Sequence, residues 1–337
     1  MNLVRKEIIW VGIIGILFGL IIAFGVWRIN SSMIKSKPVL PSETPSTQTP
    51  GEFIITLNSP ENNNVVTTSP LTVSGLTRPL TWTVVSGEAG DYILQSNEKG
   101  EFNQNVVLTP GINRIRITAF DSAGSQSVQK VLVVYSSAFV LKNTSPSTTE
   151  TSASGDAAIR ENVAKKVALA MSQPKAYLGV VTDITSSTIQ LKNTESQIEQ
   201  IAIGSQGISV VNIKGTNNKA VKLTDIAIGD FIVAMGYVNA SQVLEAQRIL
   251  ISDPLKDLAL TISFAKVTSV TKNSFTVVDV KGGETQVLAP GKNTVLSSYA
   301  NGKVTTIKIA VLNVDDQVIF IKDTSPTPPT LRSVFDI

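Results

Sequence analysis

LTDIAIGDFIVAMG, at Leu223–Gly236, returns as IAVLNVDDQVIFIK, at Ile309–Lys322, 86 residues further along a chain of 337. Other segments repeat with the same rhythm. VTDIT (Val181–Thr185) recurs as VTSVT (Val267–Thr271), TIQL (Thr188–Leu191) as FTVV (Phe275–Val278), and QRILI (Gln247–Ile251) as SVFDI (Ser333–Ile337). Each copy holds five or six short Val/Ile/Thr-rich runs parted by Gly/Asn turns such as Lys214–Asn218 and Lys281–Gly283. A repeat built only of short strands predicts a small closed or nearly closed barrel of the OB type. One such barrel is expected over 174–253 and a second over 254–337.

Ahead of the repeats, Phe53–Tyr135 alternates apolar and polar residues in seven runs: Phe53–Leu57, Leu71–Gly75, Thr81–Val85, Tyr92–Leu94, Phe102–Leu108, Asn113–Phe120 and Val128–Tyr135. Pro, Gly, Asn and Asp punctuate them, so 52–136 reads as a β-sandwich of about immunoglobulin size. In Asn113–Phe120, Ile115, Ile117 and Ala119 share one face, with Arg114, Arg116 and Thr118 on the other. Trp82 and Val84 likewise share a face, and Trp82 is expected to fill the sandwich core.

Between sandwich and repeats, 137–155 is a Ser/Thr-rich linker, and 156–173 (DAAIRENVAKKVALAMSQ) predicts a short helix. Asp156 is its N-cap and Pro174 its stop. At the other end, Ile8–Trp27 (IIWVGIIGILFGLIIAFGVW) carries no charge and would span about 30 Å as a helix, the depth of a bilayer's hydrocarbon core. Trp10 and Trp27 sit near its ends, where indoles favour the interface. Residues 1–30 therefore read as a membrane anchor with the N-terminus cytoplasmic and the C-terminal domains extracytoplasmic, on the plasma membrane. Cleavage after the small-x-small stretch Ala23-Phe24-Gly25 is the alternative, and Gly15 and Gly19 form a GxxxG pair. The Pro/Ser/Thr-rich 31–51, with Pro38, Pro41, Pro45 and Pro50, reads as a semi-extended stalk. The fold class expected is mainly β, with one transmembrane helix and one linking helix.

Two resemblances accompany this reading. SPENNNVVTTSPLTVSG, the GEF at Gly100–Phe102 and GINRIRITAFDSAG at Gly111–Gly124 resemble bacterial Ig-like domains, the accessory modules of surface proteins and polysaccharide-active enzymes. YLGVVTDITSSTIQL, LTDIAIGDFIVAMGYV and LEAQRILI resemble a bacterial envelope domain of unknown function, of which the second repeat is a divergent copy, with Ala265 for Gly179 and Asp315-Asp316 for Gly229-Asp230. The first resemblance implies a spacer, adhesive or carbohydrate-contacting module. The second implies a fold and no activity.

Composition narrows the chemistry. With no Cys and no His, the chain has no disulfide, no thiol nucleophile, no imidazole or thiolate zinc site and no triad with a His base. Charged residues make up 16%, below the roughly 25% of soluble domains, and the net charge of +3 calls for no acidic partner. Ser-x-x-Lys, a spacing some Ser nucleophiles use, occurs at Ser32/Lys35, Ser96/Lys99, Ser127/Lys130, Ser172/Lys175, Ser263/Lys266 and Ser269/Lys272, too often to single one out. Asp315-Asp316 reads as a solvated turn. Asp121 reads as a turn carboxylate, with a weak calcium site alongside Glu61 or Asn62–Asn64 as the sharper alternative. For nucleic-acid stacking the first copy offers only Tyr177, Phe231 and Tyr237, of which Phe231 and Tyr237 read as core or rim, and its Lys residues are interleaved with Asp and Glu, so no nucleic-acid partner is expected. No catalytic residue, cofactor or metal ligand is assigned. The function expected is a membrane-anchored bacterial surface protein with a structural, adhesive or binding role, contacting cell-wall polymer, glycan or envelope protein. The alternative is an accessory or sensory module of an envelope enzyme or secretion complex.

Overall fold

A computed structural model describes residues 53–141, 173–204, 207–215, 218–300 and 302–337. The expected anchor, stalk and linking helix lie outside these residues, Gln173 excepted, as does 142–155. Among the described residues no helix is long and apolar enough to cross a membrane.

The described chain is almost all strand. In the sandwich, β1 (Thr56–Ser59), β3 (Leu71–Leu76) and β6 (Glu101–Val106) form one sheet. The second runs β2 (Asn64–Val66), β8 (Gln126–Tyr135), β7 (Gly111–Phe120), β4 (Trp82–Ser86), β5 (Asp91–Gln95). Val73, Phe102 and Val106 from the first meet Val85, Ile115, Ile117, Val131 and Val133 from the second. Period-2 alternation puts these residues on facing surfaces. The seven expected runs correspond to seven of these strands. The eighth, β2, lies in an Asn-rich stretch between Pro60 and Pro70 that reads as a turn, and pairing on both its edges makes it a strand.

The first repeat contains β9 (Lys175–Ile184), β10 (Thr188–Lys192), β11 (Ile198–Ile203), β12 (Ser209–Asn212), β13 (Lys219–Val221), β14 (Phe231–Val238) and β15 (Leu244–Ser252). The pairings β9–β10–β11–β15–β14–β9 close into a ring, with β11 and β15 parallel and the others antiparallel. Ile189, Leu191, Ile201, Ile232, Leu244 and Ile249 fill it, each at most 1% exposed.

The second repeat holds β16 (Leu260–Val270), β17 (Phe275–Asp279), β18 (Thr285–Leu288), β19 (Val295–Ala300), β20 (Lys303–Thr306), β21 (Gln317–Asp323) and β22 (Thr330–Asp336). Their order, β18-β17-β16-β21-β22-β19-β20, follows the first repeat, but no ladder joins β18 to β22. The second barrel expected from the repeat is thus an open sheet. Three substitutions distinguish the two copies near their ladders. A Cβ on Gly179 would meet the Lys192 carbonyl oxygen at 2.2 Å, and one on Gly236 that of Glu245 at 2.0 Å, so both glycines allow strands to coil tightly. The open copy has Ala265 and Lys322 at these places. Ile203, whose N–H bonds the Ser187 carbonyl at 2.8 Å, is replaced by Pro290 (IAIG at 201–204 against LAPG at 288–291). Without that N–H, β18 stops at Leu288. The registers also correct the repeat alignment. Ile189 pairs with Ile184 and Phe275 with Val270, so TIQL matches SFTV rather than FTVV.

Both repeats pack on the sandwich's second sheet. On β14, Ile232 and Ala234 face into the ring, whereas Phe231, Val233, Met235 and Tyr237 join Val65, Val134 and Phe139 outside it. On β21, Val318 and Phe320 face their own core, and Ile319 and Ile321 meet Val84, Ile93 and Phe120. Trp82 belongs to this contact, edge-on to Tyr299 at 5.0 Å, and not to the sandwich core. A polar clasp accompanies it. The Asp91 carboxylate, 1% exposed, accepts from Arg332 Nε at 2.9 Å and Ser333 Oγ at 2.6 Å. The Arg116 guanidinium donates to the Leu260 carbonyl at 2.7 Å.

Gly179→Ala should cost roughly 1–3 kcal/mol, because a backbone carbonyl has to give way. Ala265→Gly in the open copy should cost at most about 1 kcal/mol. Asp91→Ala should cost about 2–3 kcal/mol, because the Arg332 guanidinium loses its carboxylate and keeps only the Gly87 carbonyl. Urea midpoints of the three variants against the parent check all three values.

Candidate functional site

A cleft of about 450 Å³ opens where sandwich, first ring and the connection between the repeats converge. Its sandwich wall follows from strand alternation: Ile115 and Ile117 point into the core, so Arg114 and Arg116 point out, with Lys130 and Leu132 of β8 beside them. The ring supplies Leu178, Glu199 and the β10–β11 turn. In that turn Asn193 Oδ1 accepts from the N–H groups of Glu195 at 3.0 Å and Gln197 at 2.9 Å, which fixes the side chains at the rim. Leu255, Asp257 and Leu258 complete the lining.

Charge in the cleft is balanced, with Arg114, Arg116 and Lys130 against Glu195, Glu199 and Asp257. Arg114 pairs with Glu88 at 2.7 Å, and Lys130 reaches Asp257 at 3.2 Å. Glu199 accepts from Asn193 Nδ2 at 2.9 Å through one oxygen. Its other oxygen and Arg116 Nε have no partner among the described residues. Burial pushes the Glu199 carboxyl above its ordinary range, opposed by the Asn193 bond and reinforced by the charge of Glu195. Burial lowers Arg116, with Asp257 opposing. A second hollow of about 400 Å³ shares Gln197 and Glu199 with the first and adds Tyr177, Gln190, Gln200 and Gln242. Tyr177 Oη donates to the Gln242 carbonyl at 3.0 Å, and burial, then Glu199, raises its pKa. The two hollows, adjoining at Gln197 and Glu199, make a trough rich in amides, with one aromatic ring and an apolar floor from residues such as Leu132, Leu178 and Leu255. Such a lining offers hydrogen bonds of both senses to hydroxyl groups and no excess charge to attract an ion. Among the described residues, no three Asp or Glu groups are placed to hold a metal ion.

The residues singled out in the sequence lie elsewhere. Asp121 Oδ1 accepts from the Ala123 and Ser125 N–H groups at 3.0 and 2.8 Å, and Oδ2 faces Arg78 at 3.4 Å. It follows Phe120 at one end of the β7–β8 ladder, while Asn64 sits beside Val133, the partner of Asn113. About 25 Å of strand separates them, so the calcium set drawn from Asp121 with Glu61 or Asn62–Asn64 does not assemble. Asp315 (φ 77°) pairs with Lys266 at 2.8 Å, and Asp316 accepts the Asn313 N–H at 2.6 Å, a turn like that of Gly229-Asp230. In the four Ser-x-x-Lys pairs among the described residues no hydrogen bond joins Ser to Lys, and Ser96 Oγ instead donates to the Arg78 carbonyl at 2.8 Å. Ser32/Lys35 and Ser172 lie outside those residues. Phe231 and Tyr237 are buried under the sandwich edge. Sequence reasoning missed Arg116, Gln197 and Glu199. The outward phase of Arg116 was legible, but its place in one cleft with Glu199 depends on docking.

No protein-family model matches the chain, so the two family resemblances remain likenesses of motif. No curated protein matches it either. Among solved structures, the chain is similar to a tetra-tandem repeat in the extending region of a large adhesion protein, at 11% identity and TM-score 0.21, covering 85% of this chain and 73% of that one. It is also similar to a 1.5-MDa bacterial ice-binding adhesin, described for its retention at the host cell surface, at 13% identity and TM-score 0.19, covering 84% and 96%. Likeness at that level establishes neither fold nor function for this chain.

A carboxyl whose folded pKa is raised stabilises the fold below the ordinary Glu value and loses that contribution as pH rises through the raised one. Glu199→Gln should therefore match the parent's stability below the ordinary value of 4.5 and exceed it at neutral pH. Urea unfolding at several pH values checks the crossover.

Proposed function

We propose that this protein is a membrane-anchored, surface-displayed β-body with an adhesive or structural role and no catalysis of its own. The trough between sandwich and first ring would hold a polyhydroxylated polymer, a glycan or cell-wall polysaccharide. The observation that carries this reading is the lining itself. Amide side chains, one hydroxyl-bearing ring and matched charges suit many neutral hydroxyls. The anchor at Ile8–Trp27 and the Pro-rich stalk at 31–51 would place the body outside the membrane, N-terminus cytoplasmic. The closed first repeat is read as OB-like from its strand order, and the sandwich as Ig-like. A Pro-rich stalk would give the body reach, which an adhesive role needs and catalysis does not.

Protease added to intact cells should remove the β-body without lysis, and cleavage only after lysis would sink the display reading. Full-length protein in mild detergent should be retained on insoluble cell-wall polysaccharide. Gln197→Ala should weaken retention by about 5–10-fold, the worth of one net hydrogen bond. Equal retention of parent and variant would remove the trough from the account.

A further inference from the structure

Sandwich and first ring are joined by a single register pair. Asn64 of β2 lies opposite Lys175 of β9. The bonds on either side, Val65 N–H to the Pro174 carbonyl at 3.0 Å and Ala176 N–H to the Asn63 carbonyl at 2.8 Å, make it a non-hydrogen-bonded pair. Side chains stand closest in such pairs, with Cα atoms about 4.5 Å apart. Lys175 Nζ lies 2.6 Å from the Asn64 amide oxygen and also contacts the Glu61 carboxylate. Asn63, at φ 62°, turns the chain so that Glu61 comes back over Asn64, whose N–H bonds the Glu61 carbonyl at 3.3 Å. The Lys175 side chain is only 20% exposed. A part-buried amine, a primary amide and an exposed carboxylate thus meet at one point.

We propose that Lys175 and Asn64 form an intramolecular isopeptide bond, with Glu61 moving the proton. The Glu61 carboxylate takes a proton from the Lys175 ammonium, and the freed amine attacks Cγ of Asn64. The Nζ–Cγ bond forms, the Cγ–Nδ2 bond breaks, and Nδ2 leaves as ammonia. Of the two protons Nζ gives up, Glu61 passes one to the departing nitrogen and the other goes to solvent. An amine and a primary amide become a secondary amide and ammonia, with no oxidant, cofactor or second protein. Held groups react with effective molarities of about 10⁵–10⁸ M. The event is needed once per molecule, so a slow rate suffices.

An ion pair at this place has less to explain it. Glu61 is 66% exposed, and exposed pairs of this kind hold elements together weakly. The covalent bond would cross the boundary between modules. It would close a loop between residues 111 positions apart, where the ladder itself has only one register pair. Tension separating sandwich from ring would then load an amide bond as well as two backbone hydrogen bonds and the apolar contact beneath them.

Intact-mass measurement of the full chain tests this. The expected mass is about 17 Da below that of the sequence, the ammonia lost when a Lys nucleophile displaces an amide nitrogen. Tandem mass spectrometry should find the peptides carrying Asn64 and Lys175 joined. Lys175→Arg and Glu61→Gln should both restore the full mass, with unchanged circular dichroism showing that they fold. A parent at full mass overturns the proposal, as does a 17 Da loss that maps to a succinimide within one peptide. A Glu61→Gln variant that still carries the bond overturns the role given to Glu61.

Discussion

The second sheet of the sandwich is covered on both faces, and the rest of the molecule depends on that. One face meets the three-stranded partner sheet through Ile115, Ile117, Val131 and Val133. The other carries the two repeats, through Val65 and Val134 at one edge and Val84, Ile93 and Phe120 further across. Each buried aliphatic or aromatic side chain contributes about 1.5–3 kcal/mol, so these contacts outweigh any single ion pair, whose desolvation cancels much of its gain. The Asp91 clasp has a different role. A buried carboxylate met by Arg332 and Ser333 fits only one docking pose, and it fixes where the second repeat sits.

Docking also explains how the two repeats diverged. The first closes into a ring through the parallel β11–β15 ladder, and its Gly179 and Gly236 admit carbonyl oxygens where a Cβ would collide. With Ala265, Lys322 and Pro290 at the matching places, the second keeps the strand order and loses the closure. Its interior survives, since Phe275 and Phe320 remain at most 1% exposed. Apolar burial tolerates an open seam, whereas ring closure depends on backbone geometry that a few side chains veto.

The trough exists for the same reason. Arg116 comes from the sandwich and Glu199 from the ring, and both line it, each with one buried atom that has no partner among the described residues. Burial is the largest cause of both shifted proton affinities, with the local turn residues Asn193 and Glu195 acting on Glu199 and Asp257 on Arg116.

The sequence by itself determined the mainly β class, the two-faced strands of the sandwich and the internal repeat, because alternation and turn chemistry are local. It even contained the sign of docking. Phe231–Val238 and Val318–Ile321 are apolar without alternation, which a strand needs only when both its faces are covered. What covers them was not legible, nor was β2, since Asn62–Asn64 spells a turn until neighbours on both edges claim its backbone. The open seam, the place of Trp82 in an inter-module contact, and the meeting of Lys175 with Asn64 and Glu61 were decided by tertiary structure alone. Each joins residues far apart in the chain, and local sequence carries no record of which distant surfaces fit.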